Sequence, residues 1–200
     1  RYKPADVPFD AIAKAKLLHL SGISLAISAS ACDAGFAAME AARKAGVGVS
    51  FDTNLRLKLW PVARARAVIA EAIALSTVCL PSYDDVAVLF GEADEDRLAD
   101  MILAKGPKIV ALKLGAKGTL LALPDRRVRI APHPCKPVDA TGAGDTFGGA
   151  FCARLVAGDA PEDAARYAAV AAALSTEGYG AVAPIPRAAA VRAALKGAAA

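Results

Sequence analysis

Asp139-Ala-Thr-Gly-Ala-Gly-Asp145 is the stretch of sequence that decides the fold, and an apolar helical segment follows it at once. The small residues at 142–144 allow the backbone to approach a ligand closely. The start of the following helix offers unpaired N–H groups and the positive end of the helix dipole, both of which suit an anion. The stretch therefore predicts an anion-binding site that has one carboxylate, that of Asp145, among its donors.

The spacing alone leaves two roles open for Asp145. Aspartate is a favoured N-cap residue, so its carboxylate could cap the helix and do nothing else. It could instead take a proton from a hydroxyl group as that oxygen attacks phosphorus. Better-known glycine motifs do not fit, because Phe147 stands where a dinucleotide fingerprint needs glycine and no Lys-Ser/Thr pair follows as in a P-loop.

Short aliphatic runs alternate with alanine-rich helical stretches along the rest of the chain. Strands are predicted at residues 17–20, 47–51, 77–80, 109–114, 119–123 and 127–130, and helices at 33–45, 61–75, 84–90, 94–104, 145–157, 161–176 and 186–195. Residues 21–32 are interpreted as a loop. This alternation favours right-handed crossovers and a mostly parallel sheet covered on both faces, with an antiparallel return near Gly118. Ligands collect beyond the carboxyl ends of such strands, which points to the loops after Phe51, Leu80 and Leu114 and to the helix start near Gly144.

The composition excludes several classes of protein. Of the 200 residues, 56% are apolar, which is enough for a sizeable core. A net charge of +4 is too small to indicate a nucleic-acid or membrane partner. The four cysteines form no CxxC pair, and neither His19 nor His133 has a metal-ligand partner at helical spacing. We therefore expect reduced thiols, no structural zinc and, with no apolar leader at the start, a cytoplasmic location.

The thirteen-residue string from Asp139 to Phe151 resembles the C-terminal signature of ribokinase-like (PfkB) sugar kinases. In that family the last Asp of the motif is the catalytic base, and the Gly-Ala-Gly amides form an anion hole for the transferring phosphoryl group. The resemblance implies that Asp145 is the base and contacts the substrate, and that Gly142, Ala143 and Gly144 supply the hole and bind ATP. It also implies a monovalent cation at Asp139 and Thr141, with a turn-stabilising role as the alternative.

Two further segments match the family in order and spacing. Lys113-Leu-Gly-Ala-Lys-Gly118 resembles its nucleotide loop, which implies ATP contacts from Lys113, Gly115, Ala116, Lys117 and Gly118. The alternative is a plain hairpin turn with solvated lysines. Ser82 and Asp85 stand where the family often has Asn-x-x-Glu, a motif that organises Mg²⁺ through water. This implies an ATP contact for Ser82 and a water-mediated metal contact for Asp85, unless Ser82 only caps a helix.

The segment from Asp52 to Trp60 is the most informative about the substrate. It resembles the Asp-x-Asn-x-Arg-x-x-Leu-Trp segment of 2-keto-3-deoxygluconate kinases and fructokinases, which implies that Asn54 and Arg56 meet ATP phosphate and that Arg56 meets the sugar. The planar fork of Arg56 suits phosphate or carboxylate, but a salt bridge to Asp52 is the alternative. Trp60 is expected to pack in the core. Residues 177–181 match an adenine-side loop loosely, in which Tyr179 either packs or binds.

The resemblance implies a three-layer α/β/α fold with a mostly parallel central sheet, and transfer of phosphate from Mg-ATP to a small sugar or keto sugar acid. The expected substrate is 2-keto-3-deoxygluconate, with fructose as the alternative substrate. The alternative to an enzyme is a non-catalytic nucleotide-binding fragment. The family also has an N-terminal Gly-Gly motif and a β-sheet lid that often pairs subunits. We expect those parts to be absent, so that residues 1–200 are the poorly active C-terminal portion of one kinase domain, and the full-length protein to be a homo-oligomer.

Overall fold

A computed structural model describes residues 2–197, which form two compact units. The first unit comprises the residues up to Leu112 together with Ala122–Arg127, and the second comprises Lys113–Leu121 and the residues from Val128 onward. Within the described residues, no helix combines the length and apolar character that are needed to cross a bilayer.

Four parallel strands form the centre of the first unit. They are β1 (Leu17–Ser21), β2 (Gly48–Asp52), β3 (Val78–Cys79) and β4 (Ile109–Lys113). The pairing is parallel throughout, with Leu17 opposite Gly48, Ser50 opposite Val78, and Val78 opposite Ile109. Side chains of the middle strands, such as Phe51 and Cys79, are fully buried, as expected for a sheet covered on both faces.

Six helices belong to the same unit. They are α1 (Phe9–Ala13), α2 (Gly22–Ala26), α3 (Ala29–Lys44), α4 (Val62–Leu75), α5 (Tyr83–Phe90) and α6 (Glu95–Leu103), and a 3₁₀ turn at Pro4–Asp6 precedes them. The prediction of a loop at 21–32 was wrong, since α2 and the first turn of α3 occupy most of it. Serine and glycine lowered the helical signal there, but burial of Leu25 and capping of α3 by Ser28 Oγ, which accepts from the Ala31 amide at 3.1 Å, outweigh propensity.

Two short connections return the chain after β4. A 3₁₀ turn at Gly115–Lys117 leads into β5 (Thr119–Ala122), and residues 123–126 lead into β6 (Arg127–Ile130). Both connections are too short for a parallel crossover, so β5 and β6 run antiparallel to their predecessors. The six strands lie in the sheet in chain order, β1-β2-β3-β4-β5-β6. This confirms the predicted mostly parallel sheet.

Three helices make up most of the second unit. They are α7 (Ala143–Val156), α8 (Pro161–Ser175) and α9 (Ala188–Gly197). The rings of Phe147 and Phe151 on α7 stack with their centroids 5.9 Å apart, and Val170 and Val191 are buried between α8 and α9. Helix α7 begins two residues before the predicted start at Asp145, because Ala143 and Gly144 join its first turn. Asp145 therefore lies inside the helix.

Candidate active site

The turn that starts α7 tolerates only glycine at position 142. Gly142 is the N-cap residue and has a left-handed backbone, with φ at +78°. A Cβ atom on this residue would lie 2.9 Å from the Cβ of Ala181 and 3.0 Å from its Cα. Both the backbone conformation and the close approach of Ala181 therefore exclude a side chain.

Two amides at the start of α7 are available to a ligand. The Ala143 amide donates to the Ala140 carbonyl at 3.1 Å, and the Thr146 amide donates to the Gly142 carbonyl at 2.8 Å. Among the described residues, no acceptor lies within hydrogen-bond distance of the Gly144 and Asp145 amides. These two N–H groups point to an anion site at this helix terminus. The sequence had indicated the amides of residues 142–144.

The carboxylate of Asp145 stands beside these donors. Its side chain is exposed on the first turn of α7, and it makes no hydrogen bond or ion pair with any described residue. The cap position belongs to Gly142, so the helix-capping alternative for Asp145 was wrong. The carboxylate remains able to accept a proton from a bound hydroxyl group.

The ammonium group of Lys113 lies next to the same turn. A Cβ atom on Gly144 would be 3.6 Å from Nζ of Lys113 and would meet no other atom within 4 Å. Lys113 ends β4 and opens the 113–118 loop, in which the Leu114 amide donates to the Gly118 carbonyl at 2.9 Å. Gly118 has φ at +90°, and a Cβ there would lie 2.2 Å from the Ile130 carbonyl oxygen. The loop is a tight hairpin turn that also brings the ammonium group of Lys113 to the start of α7.

Asp139 links two loops through its carboxylate. Oδ1 accepts from the Thr141 hydroxyl at 2.6 Å and from the Thr141 amide at 2.9 Å, and Oδ2 accepts from the Gly180 amide at 2.9 Å. The hydrogen bond from the Thr141 hydroxyl, followed by that from the Gly180 amide, lowers the pKa of Asp139. These contacts are those of the turn-stabilising alternative, and cation binding at Asp139 and Thr141 stays a prediction.

Residues 176–182 place apolar side chains in solvent close to this turn. The Thr176 carbonyl accepts from the amides of Val138 and Asp139 at 2.7 and 3.0 Å, which fixes the segment to the 139–145 loop. The side chain of Tyr179 is 80% exposed and that of Val182 is 78% exposed. Tyr179 therefore does not pack in this structure, which keeps it available to a ligand.

The first unit has a second group of polar residues, where β2 and β3 end. Oδ2 of Asp85 accepts from the Thr53 hydroxyl at 3.0 Å and from the Leu55 amide at 3.1 Å. Ser82 caps α5, since its Oγ accepts from the Asp85 amide at 3.2 Å. The capping alternative for Ser82 is thus observed, and Asp85 anchors the loop after β2. A nucleotide contact for Ser82 and a metal contact for Asp85 stay predictions.

The loop after β2 is held in an unusual conformation. Asn54 has φ at +30°, the only positive value outside glycine among the described residues, and its amide donates to Oδ1 of Asp52 at 3.2 Å. A Cβ atom on Gly22 would lie 2.0 Å from the Thr53 carbonyl oxygen, so α2 approaches this loop backbone to backbone. Such a strained residue persists only where its surroundings fix it, and these positions are frequent at binding sites.

Arg56 and Trp60 follow in the same segment. The Arg56 side chain is exposed and donates to the Leu55 carbonyl at 2.8 Å, with no ion pair among the described residues, so the alternative of a salt bridge to Asp52 is not observed. Trp60 is only 5% exposed, which confirms that it packs in the core. Its indole N–H has no hydrogen-bond partner within the described part of the chain.

The sequence did not indicate every residue that shapes these loops. The Asp145 amide, Thr53 and the hydrogen bond from Gly180 to Asp139 were all missed. The first was overlooked because α7 starts earlier than predicted. Gly180 was detectable as a glycine near a motif, but its partner Asp139 is 41 residues away. Nothing in the sequence pattern indicated Thr53.

The protein is an α/β protein with a mostly parallel sheet, and it has a helix start where two unpaired amides, a carboxylate and a lysine lie close together, an arrangement that suits an anion. The family model for the pfkB family of carbohydrate kinases matches residues 2–188. The chain therefore belongs to the pfkB family.

Three comparisons give the range of its relatives. The chain is 32% identical to fructokinase-2 of Solanum lycopersicum over 97% of this chain and 62% of that one. It is 31% identical to 2-dehydro-3-deoxygluconokinase of Bacillus subtilis (strain 168) over 88% of this chain and 55% of that one. The crystal structure of fructokinase from Vibrio cholerae O395 with fructose, ADP and calcium ion superposes with a TM-score of 0.86 and 32% identity, over 96% of this chain and 64% of that one.

The structural match confirms the predicted fold class, a three-layer α/β/α fold of the ribokinase type. The chain spans between half and two thirds of the length of these relatives. The two sequence relatives carry different substrates in their names and are almost equally identical to this chain, so the comparisons do not single out one sugar.

Proposed function

We propose that the protein transfers the terminal phosphoryl group of ATP to a hydroxyl group of a small sugar. The observation that carries this proposal is the arrangement at the start of α7, where an unpartnered carboxylate lies beside two unpartnered amides and the Lys113 ammonium. An anion hole alone would suit any phosphate. The free carboxylate adds the base that transfer to a hydroxyl group needs.

Each group has a part in one in-line displacement. The Asp145 carboxylate takes the proton of the sugar hydroxyl as that oxygen forms a bond to the γ-phosphorus, and the bond from phosphorus to the bridging oxygen breaks to release ADP. The Gly144 and Asp145 amides donate to the phosphoryl oxygens as charge develops on them. Lys113 adds a positive charge at the same place.

Two exposed features support nucleotide binding in the second unit. The 113–118 loop presents glycine backbone and lysine side chains, which suit a polyphosphate. Tyr179 offers an exposed aromatic face, which suits a base. We assign the ATP site to these residues together with Gly142, Ala143 and Gly144, and ATP contacts for Asn54, Arg56 and Ser82 stay expectations from the resemblance.

Magnesium would arrive with the nucleotide and neutralise charge on its phosphates. Within residues 2–197, no three His, Cys, Asp or Glu side chains lie close enough to hold a metal ion by themselves. That fits Mg²⁺, which usually keeps several waters and takes one or two carboxylates plus substrate phosphates. A water-mediated metal contact for Asp85 stays an expectation from the resemblance; its Oδ2 accepts from the loop after β2, and its Oδ1 accepts no hydrogen bond from a described residue.

For the acceptor we propose 2-keto-3-deoxygluconate first and fructose second. The exposed guanidinium of Arg56 forms no ion pair with any described residue, which favours a substrate that brings a carboxylate. Fructose is favoured by the fructokinase relative, which matches 97% of the chain. Initial rates of the wild-type protein with both sugars decide between them.

The test of the function is Asp145→Asn, assayed by sugar-dependent release of ADP. Loss of a general base should lower kcat about 10²–10⁴-fold and leave ATP affinity nearly unchanged. Asp84→Asn is the matched control, because Asp84 is also an exposed carboxylate in the first turn of a helix. A kcat within threefold of wild type in Asp145→Asn would contradict the assignment. Both variants are made in the full-length protein, where ATP binding without turnover of either sugar by the wild type would favour a non-catalytic nucleotide-binding module.

A further inference from the structure

We propose that a cleft between α7, α8 and α9 binds a small phosphate monoester. The cleft has a volume of about 260 Å³ and is lined by three arginines, Arg154, Arg166 and Arg192. Arg154 lies nine residues beyond Asp145 on α7, which at 1.5 Å per residue places the cleft roughly 14 Å along the helix from Asp145. It is therefore a second anion site, independent of the proposed phosphoryl transfer.

Arg154 is a fixed wall of this cleft. Its Nε and one terminal nitrogen donate to the two carboxylate oxygens of Asp159 at 2.6 and 2.7 Å. The guanidinium also lies over the ring of Tyr167, 5.4 Å from the centroid. A bidentate pair stacked on an aromatic ring holds its geometry without a ligand, so Arg154 contributes shape and a constant local charge.

Arg166 and Arg192 are available to bind an anion. Arg166 pairs with Asp163 at 2.8 Å, but the side chains are 54% and 65% exposed, and such surface pairs contribute little to stability. Arg192 is exposed on α9 and forms no hydrogen bond or ion pair with a described residue. The cleft thus has three guanidinium groups and only two carboxylates, those of Asp159 and Asp163. Arg166 and Arg192 can bind an added anion with little loss of existing interactions.

The remaining lining selects the class of ligand. Two available guanidinium forks match the charge and oxygen geometry of a phosphate dianion better than those of a single carboxylate. The half-buried side chains of Tyr167 and Leu195 pack against the core formed by Val170 and Val191, and they give the cleft an apolar side for a short carbon chain. Its volume is just below the ~300–1,000 Å³ usual for drug-sized ligands, so a monoester of a few carbons fits.

The test follows the Nε–Hε signals of the three arginines by NMR while glycerol 3-phosphate is added to the protein. We expect the Arg166 and Arg192 signals to shift with a Kd of about 1–10 mM, the range for one or two charge-assisted pairs. Arg192→Ala should raise the Kd for glycerol 3-phosphate roughly tenfold. Arg192→Lys keeps the charge but not the planar fork, so its Kd should lie between those of the wild type and Arg192→Ala. Lys196→Ala, on the same helix, is the control and should bind as wild type does.

Two added anions separate the possible sources of the phosphate group. Inorganic phosphate should bind several-fold more weakly than glycerol 3-phosphate if Tyr167 and Leu195 contact the carbon chain, and acetate more weakly still. Equal affinity for inorganic phosphate and the monoester would overturn the choice of ligand class. Arginine signals that do not move, or that move equally in wild type and Arg192→Ala, would overturn the site itself. Because the signals report this cleft directly, neither result depends on kinase activity.

Discussion

At the scale of single residues, the Thr141 hydroxyl is the main cause of the lowered pKa of Asp139. It makes the shortest of the three hydrogen bonds to this carboxylate. A lowered pKa means that the ionised form is favoured by folding. The stabilisation is therefore complete above the ordinary value of 3.8 and is lost as the pH falls through the lower folded value.

Thr141→Val should raise the pKa of Asp139 toward its ordinary value, since the hydroxyl donor is removed while the backbone donors remain. The ¹³C chemical shift of the Asp139 carboxyl carbon, followed from pH 7 downward, measures the midpoint. Thr141→Ser retains a hydroxyl and should keep the midpoint close to that of wild type. The same midpoint in Thr141→Val and wild type would show that the hydrogen bond does not set the ionisation.

At the scale of elements, the N-cap glycine of α7 and one glycine inside the helix have opposite requirements. Gly142 has a left-handed backbone and lies against Ala181, whereas Gly149 is exposed in the middle of the helix and a Cβ there would meet nothing within 4 Å. Glycine is therefore required at the first position and is only a weakness at the second. The sequence pattern could not distinguish the two glycines, because Ala181, which contacts position 142 in space, lies far from it along the sequence.

Gly149→Ala should raise the free energy of unfolding by about 0.5–1 kcal/mol, the usual gain from replacing glycine inside a helix. Gly142→Ala should lower it by roughly 1–2 kcal/mol for the left-handed backbone alone, and further because Ala181 has to move. Urea unfolding of both variants measures the difference. Stabilisation by Gly142→Ala would mean that the turn is not held as described.

At the scale of the whole molecule, the sequence predicted the order of strands and helices well, because short aliphatic runs indicate buried strands and alanine-rich stretches indicate helices. Local spacing also predicted an anion site at the helix start near Asp145 and a turn at 113–118, whereas the roles of these residues were implied by the family resemblance and stay predictions. It failed where tertiary contacts outweigh propensity, as in α2, and it left the alternatives for Ser82 and Asp139 open. Those alternatives depend on which atoms meet across 30 or more residues, as with Asp85 and Thr53, and no local pattern carries that information.

ATP should stabilise the whole protein by linkage, by about 2.7 kcal/mol when its concentration is 100 times the Kd. Gly144→Val should abolish this gain, because its γ-carbons would occupy the space in front of the free amides and Lys113. Gly144→Ala is the control, since its Cβ would make only an ordinary 3.6 Å contact. Thermal unfolding with and without Mg-ATP measures both. An unchanged shift in folded Gly144→Val would contradict the nucleotide site.

The buried indole of Trp60 also provides an intrinsic fluorescence probe. It is the single tryptophan of the chain and belongs to the first unit, whereas Tyr167 and Tyr179 belong to the second. Light absorbed by tryptophan and not by tyrosine therefore excites fluorescence from the first unit alone. Since the ring is shielded from water, its emission should lie at short wavelength and resist quenching by iodide until that unit opens. Tryptophan emission can then be used to follow the opening of the first unit alone.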